Sequence, residues 1–150
     1  MGPIITVCTG NICRSPMAEY FLRKALEEAG LSHPVASAGI AAYNGQPASA
    51  FAAQAMKETG IDISAHRSRA LTKKMVEGAE LVLVMTEMHK LALSEEFGPV
   101  KAPILLWREN MPRDKQIPDP YGCDLKTYQV CRDSIREAVP GWVEWVRKQK

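Results

Sequence analysis

Near its amino end the chain reads Ile4-Ile5-Thr6-Val7-Cys8-Thr9-Gly10-Asn11-Ile12-Cys13-Arg14-Ser15-Pro16. The apolar, β-branched residues at the start of this stretch are typical of a buried parallel strand. Ser15 and Pro16 then predict a helix with Ser15 as its N-cap, and Glu19 follows as an acidic residue in the first turn. A strand, a short loop and a helix N-terminus together form an anion site, because backbone N–H groups and the helix dipole converge there.

Two side chains of the loop indicate what happens to a bound anion. The loop lacks the Gly-Lys-Ser/Thr ending of nucleotide-hydrolysing loops and has Cys8 at its beginning and Arg14 just before the helix. A thiol that faces converging amides is readily held as the nucleophilic thiolate, and a guanidinium matches two oxygens of a phosphate. The pattern therefore predicts attack of Cys8 on phosphorus and a phosphocysteine intermediate. The alternative is a buried strand cysteine and a surface arginine without catalytic roles.

The stretch Val7–Pro16 resembles the signature of the low-molecular-weight protein tyrosine phosphatases. Asp119-Pro120-Tyr121-Gly122 resembles the Asp-Pro-Tyr motif near the carboxyl end of the same family, and the glycine after the tyrosine is similar to the bacterial form. Because the motifs match at both ends, the resemblance covers the whole chain. It implies a Rossmann-like phosphotyrosine phosphatase I fold and a phosphoric monoester hydrolase that needs no cofactor or metal.

Length and composition are those of an ordinary globular protein. The 150 residues are 46% hydrophobic and 24% charged, which predicts a single globular domain. The resemblance implies that this one domain, over residues 1–150, is a phosphatase domain. A net charge of +2 does not favour nucleic acid or a membrane surface as a partner, and no apolar run approaches the ~20 residues of a membrane span. The amino end has no signal-peptide pattern, and four cysteines with separate local roles indicate a reducing compartment. The expected location is the cytoplasm.

Strand and helix patterns alternate along the chain. Strands are predicted at Ile4–Cys8, Pro34–Ala38, Glu80–Met85 and Ala102–Trp107. Helices are predicted at Pro16–Ala29 and Ala48–Thr59, after the N-caps Thr72 and Thr86, and from Asp124 onward with a kink or interruption at Pro140-Gly141. The alternation predicts an α/β protein, a three-layer α/β/α sandwich with a central four-stranded parallel sheet. Ligands in such sheets bind beyond the carboxyl ends of the strands, where Cys8 lies.

Expelling a tyrosyl oxygen requires a proton donor in the transition state. Asp119 stands between two prolines whose rings restrict the backbone and can hold a loop over the site. In the resembled family, the aspartate of this motif protonates the leaving group and then activates the water that hydrolyses phosphocysteine. We expect these roles of Asp119, rather than of the nearby Asp114 or Asp124. The alternative is that Asp119 is only a turn residue, which is common beside proline.

The resemblance also assigns the parts of the phosphate-binding loop, which are Thr9, Gly10, Asn11, Ile12, Cys13, Arg14 and Ser15. In the family, the positions that match Asn11, Ser15, Ser37 and His66 form a hydrogen-bond network that shapes the loop. Asparagine tolerates a left-handed backbone conformation better than most residues, which suits a tight loop. Ser15 is also able to donate its hydroxyl proton to the thiolate.

Cys13 has two interpretations. It is either a small residue packed behind the loop or a resolving thiol that forms a disulfide with oxidised Cys8 and prevents irreversible oxidation. The family resemblance favours the second. Cys123 and Cys131 match no catalytic position of the family and are interpreted as bystanders.

The three histidines do not predict a metal site. His33, His66 and His89 are scattered along the chain, and no Cys-x-x-Cys occurs. His33 and His89 are interpreted as surface or packing residues.

The predicted substrate pocket has an apolar wall and aromatic rims. Ile12 is expected in the wall, with Tyr43 and Tyr121 at the rim, where the ring of phosphotyrosine can stack. Phosphoserine is too short to bring its phosphorus to the thiolate in such a pocket. Bacterial arginine phosphatases of the resembled family have threonine at the position of Ile12, so the apolar side chain favours tyrosine over arginine.

The sequence leaves three classes of alternative to a tyrosine phosphatase. Arsenate reductases of this fold need relay cysteines after the third strand, and Met85–Lys90 contains none. Protein arginine phosphatase is the enzymatic alternative. A non-catalytic phosphoprotein-binding module or a phosphocysteine carrier is less favoured, because the module would not need Cys8 and Arg14 and the carrier would not need Asp119 as an acid. The expected partners are phosphotyrosine-containing proteins, among them a tyrosine kinase, and the chain is expected to be a monomer or weak dimer.

Overall fold

Strands and helices alternate over residues 2–150, which the computed structural model describes. In chain order they are β1 (Ile4–Cys8), α1 (Arg14–Glu28), β2 (Val35–Gly39), α2 (Ala50–Lys57), α3 (Lys73–Gly78), β3 (Leu81–Val84), α4 (Glu87–Phe97), β4 (Ile104–Leu106), α5 (Leu125–Glu137) and α6 (Val139–Gln149). All four predicted strands are confirmed.

The strands form one parallel sheet in the order β2-β1-β3-β4. β1 is therefore an inner strand, and Cys8 at its end pairs with Gly39 of β2. The chain turns to one side of β1 to reach β2 and to the other side to reach β3, so the carboxyl end of β1 is the point where the strand order reverses. This is the edge at which α/β sheets bind ligands.

Helices cover both faces of the sheet. Ile4 and Cys8 of β1 contribute to the core beneath α1, α2, α5 and α6, where Met17, Met56, Tyr128 and Trp142 are buried. Ile5 and Val7 contribute to the core beneath α3 and α4, with Val76 and Leu93. The alternation of side chains along a strand thus supplies both cores, and the three-layer α/β/α prediction is confirmed. None of the described helices is long and apolar enough to cross a membrane.

The predicted N-caps Thr72 and Thr86 are confirmed, and Asp124, where the last helix was predicted to start, is the N-cap of α5. The side chains of Thr72, Thr86 and Asp124 accept hydrogen bonds from the backbone N–H groups of Met75, His89 and Thr127, at 3.2, 3.2 and 3.0 Å. Each bond satisfies one of the N–H groups that a helix start leaves without an intrahelical partner.

The predicted start of the first helix is wrong. The N-cap of α1 is Cys13, without a side-chain cap, and Ser15 lies inside the first turn. The Ser15 hydroxyl does not cap the helix because it lies 2.9 Å from Cys8 Sγ and also receives a hydrogen bond from Asn11. Glu19 lies beyond the first turn and is buried.

The predicted interruption near the carboxyl end is confirmed, a little earlier in the chain than expected. α5 ends at Glu137, and α6 begins at Val139, with Pro140 in its first turn. Proline is tolerated there because its missing N–H would have no intrahelical acceptor. The predicted helix Ala48–Thr59 is shorter in the structure, since α2 runs from Ala50 to Lys57.

Candidate active site

Cys8 lies at the floor of the site. As the last residue of β1 it is 2% exposed, and Ile40 donates a backbone hydrogen bond to its carbonyl at 3.0 Å. Its Sγ lies 2.9 Å from Ser15 Oγ. Asn11 Nδ2 donates to the same hydroxyl oxygen at 2.8 Å, which leaves the Ser15 proton for Cys8 Sγ at 2.9 Å or for the more distant Ala38 carbonyl at 3.5 Å. A hydroxyl donor at this distance stabilises a thiolate over a neutral thiol.

Arg14 places a buried positive charge beside the thiol. The residue is 3% exposed, and its NH1 donates to the carbonyl of Ile117 at 2.8 Å, which ties the guanidinium to the segment before Asp119. Its Nε is buried and has no hydrogen-bond partner among residues 2–150. A buried guanidinium with a free donor favours an anion with several acceptor oxygens, such as phosphate.

Asn11 holds the centre of the loop. Its backbone has φ 56°, as its residue type predicts. Its Nδ2 donates to Ser37 Oγ at 2.9 Å as well as to Ser15, and its Oδ1 accepts the backbone N–H of Arg69 at 3.0 Å. His66 Nε2 donates to the Asn11 carbonyl at 2.7 Å. The structure thus brings together all four residues that were predicted to support the loop.

Glu19 extends this network and was not predicted to do so. The Ser37 hydroxyl donates to its Oε1 at 2.5 Å, and Arg23 pairs with its Oε2 at 2.6 Å. Because the Ser37 hydroxyl donates its proton to the Glu19 carboxylate, the Ser37 oxygen is left to accept the hydrogen bond from Asn11 Nδ2. This arrangement fixes the orientation of the asparagine amide. The sequence showed Glu19 only as an acidic residue near a helix start, because its partner Ser37 lies 18 residues away on β2.

Gly39 allows the loop to approach β2 closely. A Cβ built on this residue would lie 2.6 Å from the Thr9 carbonyl oxygen and 2.9 Å from the Asn11 nitrogen. Real Cβ atoms do not come this close to backbone, so any other residue would displace the phosphate-binding loop.

We therefore expect Gly39→Ala to lower the free energy of unfolding by about 1–3 kcal/mol and to weaken binding of inorganic phosphate. Chemical denaturation and calorimetric titration measure the two effects. Gly141→Ala is the control, since a Cβ at Gly141 in α6 meets nothing within 4 Å and alanine favours a helix interior. Unchanged phosphate affinity in Gly39→Ala would contradict the steric account.

Asp119 lies at the rim of the same pocket. Its side chain is 48% exposed, and its Oδ2 is 3.7 Å from Arg14 NH2. Its Oδ1 accepts the backbone N–H of Tyr121 at 3.0 Å, so the carboxylate shapes its own turn and still faces the pocket. Asp119 therefore stabilises a turn and also lies in a position suited to proton transfer.

The pocket has a volume of about 280 Å³ and opens to solvent at two tyrosines. Tyr43 is 77% exposed and Tyr121 is 65% exposed, and Ile12 is half-buried in the wall. Ile12, Tyr43 and Tyr121, which the sequence placed in a substrate pocket, all line this cavity. The lining consists of Cys8, Thr9, Gly10, Ile12, Cys13, Arg14, Ala41, Ala42, Tyr43, Gln46, Asp119 and Tyr121.

The other cysteines lie in different surroundings. Cys13 Sγ is 3.3 Å from Ser49 Oγ and 3.4 Å from the Tyr128 hydroxyl, and burial raises the pKa of its thiol. Burial raises the pKa of Cys131 to about 12, which makes this thiol unreactive. Cys123 is exposed.

His89 is the second residue of the site that sequence reasoning missed. It is buried in the first turn of α4, and its Nε2 lies 3.0 Å from Thr9 Oγ1 in the phosphate-binding loop. Burial, followed by the nearby Arg14 charge, lowers the pKa of His89 to about 4, so the imidazole is neutral at physiological pH. The only sequence signal was its position three residues after the N-cap Thr86, at the edge of the sheet where the site lies.

The fold and pocket define a class of enzyme, the cysteine-dependent phosphatases. A cysteine ends the inner parallel strand, the loop that follows it lines the same cavity, and a buried arginine and an exposed aspartate face that cavity. The chain belongs to the low-molecular-weight phosphotyrosine protein phosphatase family, whose family model matches residues 3–150. Members of this family are hydrolases that act on phosphoproteins.

Similar proteins carry two activity names. The chain is 40% identical over 144 residues to the probable low-molecular-weight protein-tyrosine-phosphatase EpsP of Ralstonia nicotianae, covering 96% of this chain and 95% of that protein. It is 34% identical over 148 residues to the protein-arginine-phosphatase of Bacillus subtilis, covering 98% of each. A solved structure of a serine mutant of the YwlE arginine phosphatase, with a phosphorylated active-site serine, superposes with a TM-score of 0.92 at 34% identity, covering 99% of this chain and 97% of that one.

Proposed function

We propose that the protein removes phosphate from phosphotyrosine in proteins through a phosphocysteine intermediate, as one phosphatase domain over residues 1–150. The observation that carries this proposal is the shared pocket, with Cys8 at its floor, Arg14 in its wall and Asp119 at its rim. The match of the family model to residues 3–150 supports a single domain.

In the first step the Cys8 thiolate attacks phosphorus while the bond from phosphorus to the tyrosyl oxygen breaks. Asp119, in its acid form, gives its proton to the departing oxygen, because a phenol with a pKa near 10 leaves poorly as an anion. Arg14 binds two phosphate oxygens and stabilises the charge that they carry in the transition state. Ser15 holds the thiolate before attack through the 2.9 Å contact.

In the second step water attacks the phosphorus of phosphocysteine. The Asp119 carboxylate takes the proton of this water, the bond between sulfur and phosphorus breaks, and inorganic phosphate leaves with the thiolate restored. The phosphorylated active-site serine in the YwlE mutant supports transfer of phosphate to the nucleophile position.

The pocket rim favours an aromatic substrate. Tyr43 and Tyr121 are exposed at the opening of the cavity, and stacked or edge-to-face aromatic pairs add about 0.5–1.5 kcal/mol beyond buried area. The half-buried Ile12 presents only methyl and methylene groups to a substrate. An apolar wall receives a phenyl ring well and leaves the N–H groups of phosphoarginine without partners.

We expect wild-type protein, assayed with EDTA, to have a kcat/KM for a phosphotyrosine peptide at least about 10-fold above that for phosphoarginine and phosphoserine peptides. One well-placed contact between substrate and pocket is enough to produce a ratio of this size. Ile12→Thr should move the ratio toward phosphoarginine, and Ile12→Val is the matched control that keeps the wall apolar. Preference of wild-type protein for phosphoarginine would overturn the substrate assignment and leave the mechanism in place.

Protein arginine phosphatase is the second candidate function. The likeness to the YwlE structure, over 99% of this chain, favours it. The same nucleophile, arginine and aspartate would serve, since only the leaving atom changes from oxygen to nitrogen.

We also propose that Cys13 protects the nucleophile against oxidation. Peroxide would convert the Cys8 thiolate to a sulfenic acid, and attack by the Cys13 thiol would form a disulfide and release water. Burial raises the pKa of the Cys13 thiol, so Cys8 is the cysteine that peroxide oxidises first.

After peroxide treatment we expect the peptide that contains both cysteines to lose two hydrogens, and activity to return with dithiothreitol. Cys13→Ser should be inactivated irreversibly, whereas Cys123→Ser should behave as wild type. Full recovery of Cys13→Ser would show that Cys13 has no protective role.

The proposed chemistry also indicates a cellular compartment and a class of partner. We place the protein in the cytoplasm, because a catalytic thiol needs a reducing compartment and all four cysteines are free. Its proposed substrates are phosphotyrosine-containing proteins, a tyrosine kinase included, on which it acts as a monomer or weak dimer.

A further inference from the structure

His89 lies directly behind the first residue of the phosphate-binding loop. It is 6% exposed, and its backbone N–H donates to Thr86 Oγ1 at 3.2 Å, which sets it in the first turn of α4. Its Nε2 is 3.0 Å from Thr9 Oγ1, across 80 residues of sequence. The proposed reaction assigns no role to this buried imidazole.

The surroundings of the ring indicate which nitrogen carries the proton. Nδ1 is buried and has no hydrogen-bond partner among residues 2–150. An N–H group without a partner is rarer in protein interiors than a lone pair without one, so the proton belongs on Nε2. Since burial and the neighbouring Arg14 keep the ring neutral, the Nε2–H group is the one donor of the side chain, and it points at Thr9.

Thr9 receives a second hydrogen bond at the same atom. Arg14 NH2 donates to Thr9 Oγ1 at 3.5 Å. A hydroxyl oxygen has two lone pairs and one proton, so with both lone pairs occupied its own proton must go to a third group. Thr9 lines the pocket together with Cys8 and Arg14, and a bound phosphate would supply that third group.

We propose that His89 is a positioning residue that, together with Arg14, directs the Thr9 hydroxyl proton toward a phosphate oxygen in the pocket. This inference rests on the proposed function. The Thr9 hydroxyl then acts as a side-chain donor to the phosphate, in addition to the backbone amides of the loop. Because His89 and Arg14 both donate to Thr9 Oγ1, this oxygen also couples the position of His89 to that of Arg14. His89 makes no contact with the phosphate itself.

The test compares both partners of the contact. We expect Thr9→Val and His89→Leu each to lower kcat/KM on a phosphotyrosine peptide and to weaken competitive inhibition by inorganic phosphate, by about 10- to 100-fold, the usual effect of one hydrogen bond to a charged group. His89→Gln, which retains an N–H donor of similar reach, should recover most of the loss. The double variant Thr9→Val/His89→Leu should be no worse than Thr9→Val alone, because the two changes remove one interaction.

Two results would overturn the proposal. One is wild-type phosphate affinity in Thr9→Val. The other is additive losses in the double variant, which is what independent packing roles predict. Nitrogen-15 NMR of the histidine rings gives a readout independent of turnover, in which a proton on Nδ1 of His89 would contradict the assigned tautomer.

The inference and the proposed function can fail separately. If wild-type protein hydrolyses phosphoarginine and not phosphotyrosine, the substrate assignment fails. The comparison of phosphate inhibition still decides the role of His89, because phosphate is common to both substrates.

Discussion

Cys8→Ser is expected to abolish turnover, with kcat lower by on the order of 10⁴–10⁶-fold, the range seen when a catalytic nucleophile is removed. A serine hydroxyl at the end of β1 would still lie beside Ser15, but it is far less acidic than a thiol and is not ionised by the loop amides. Arg14 and the backbone of the loop are unchanged, so the affinity for inorganic phosphate should stay within a few-fold of wild type.

The measurement is a single-turnover assay on a phosphotyrosine peptide, paired with calorimetric titration of inorganic phosphate. Cys123→Ser is the control, because this cysteine is exposed and does not line the pocket, and it should retain full activity. Substantial turnover by Cys8→Ser would disprove the phosphocysteine mechanism. Loss of phosphate affinity together with turnover would show that the thiol supports the loop as well as the chemistry.

Asp119→Asn is expected to lower kcat by about 10²–10⁴-fold on phosphotyrosine, the usual contribution of general acid catalysis. Asparagine keeps an oxygen that accepts the Tyr121 N–H, so the turn should survive while the proton donor is lost. The effect should shrink as the leaving phenol becomes more acidic, since a good leaving group departs without protonation. A series of aryl phosphates measures this dependence.

Asp124→Asn is the matched control for the acid. Asp124 caps α5 by accepting the Thr127 N–H at 3.0 Å, and asparagine is an equally good N-cap, so neither stability nor activity should change. An Asp119→Asn variant whose loss of activity is the same for acidic and weakly acidic phenols would not fit a proton donor. Such a result would assign Asp119 to substrate binding or to its contact with Arg14.

Much of the fold follows from short-range patterns in the sequence. The β-branched run before Cys8 and the caps at Thr72, Thr86 and Asp124 each involve residues within about four positions of one another, where backbone sterics and local hydrogen bonds decide the structure. For this reason the predicted strands, the two threonine caps and the break in the last helix are all found in the structure. The strand–loop–helix stretch and the aspartate between two prolines also pointed to the residues that the structure gathers around one pocket.

The contacts that shape the pocket depend on the order of strands in the sheet. Asn11 meets Ser37 because β1 pairs with β2, and Thr9 meets His89 because β1 also pairs with β3. Local preference predicted Ser15 as a helix cap, but its hydroxyl binds Cys8 instead, because the tertiary structure offered a better partner than the helix backbone.

The sequence by itself therefore determined the fold class, the family and the cysteine, arginine and aspartate of the candidate site. Only the tertiary structure revealed the buried Glu19 behind Ser37, the close approach that requires Gly39, and the neutral His89 behind the loop. The physical reason is that a side chain's hydrogen-bond partner and its burial depend on which strands become neighbours. No local pattern in the chain records those neighbours.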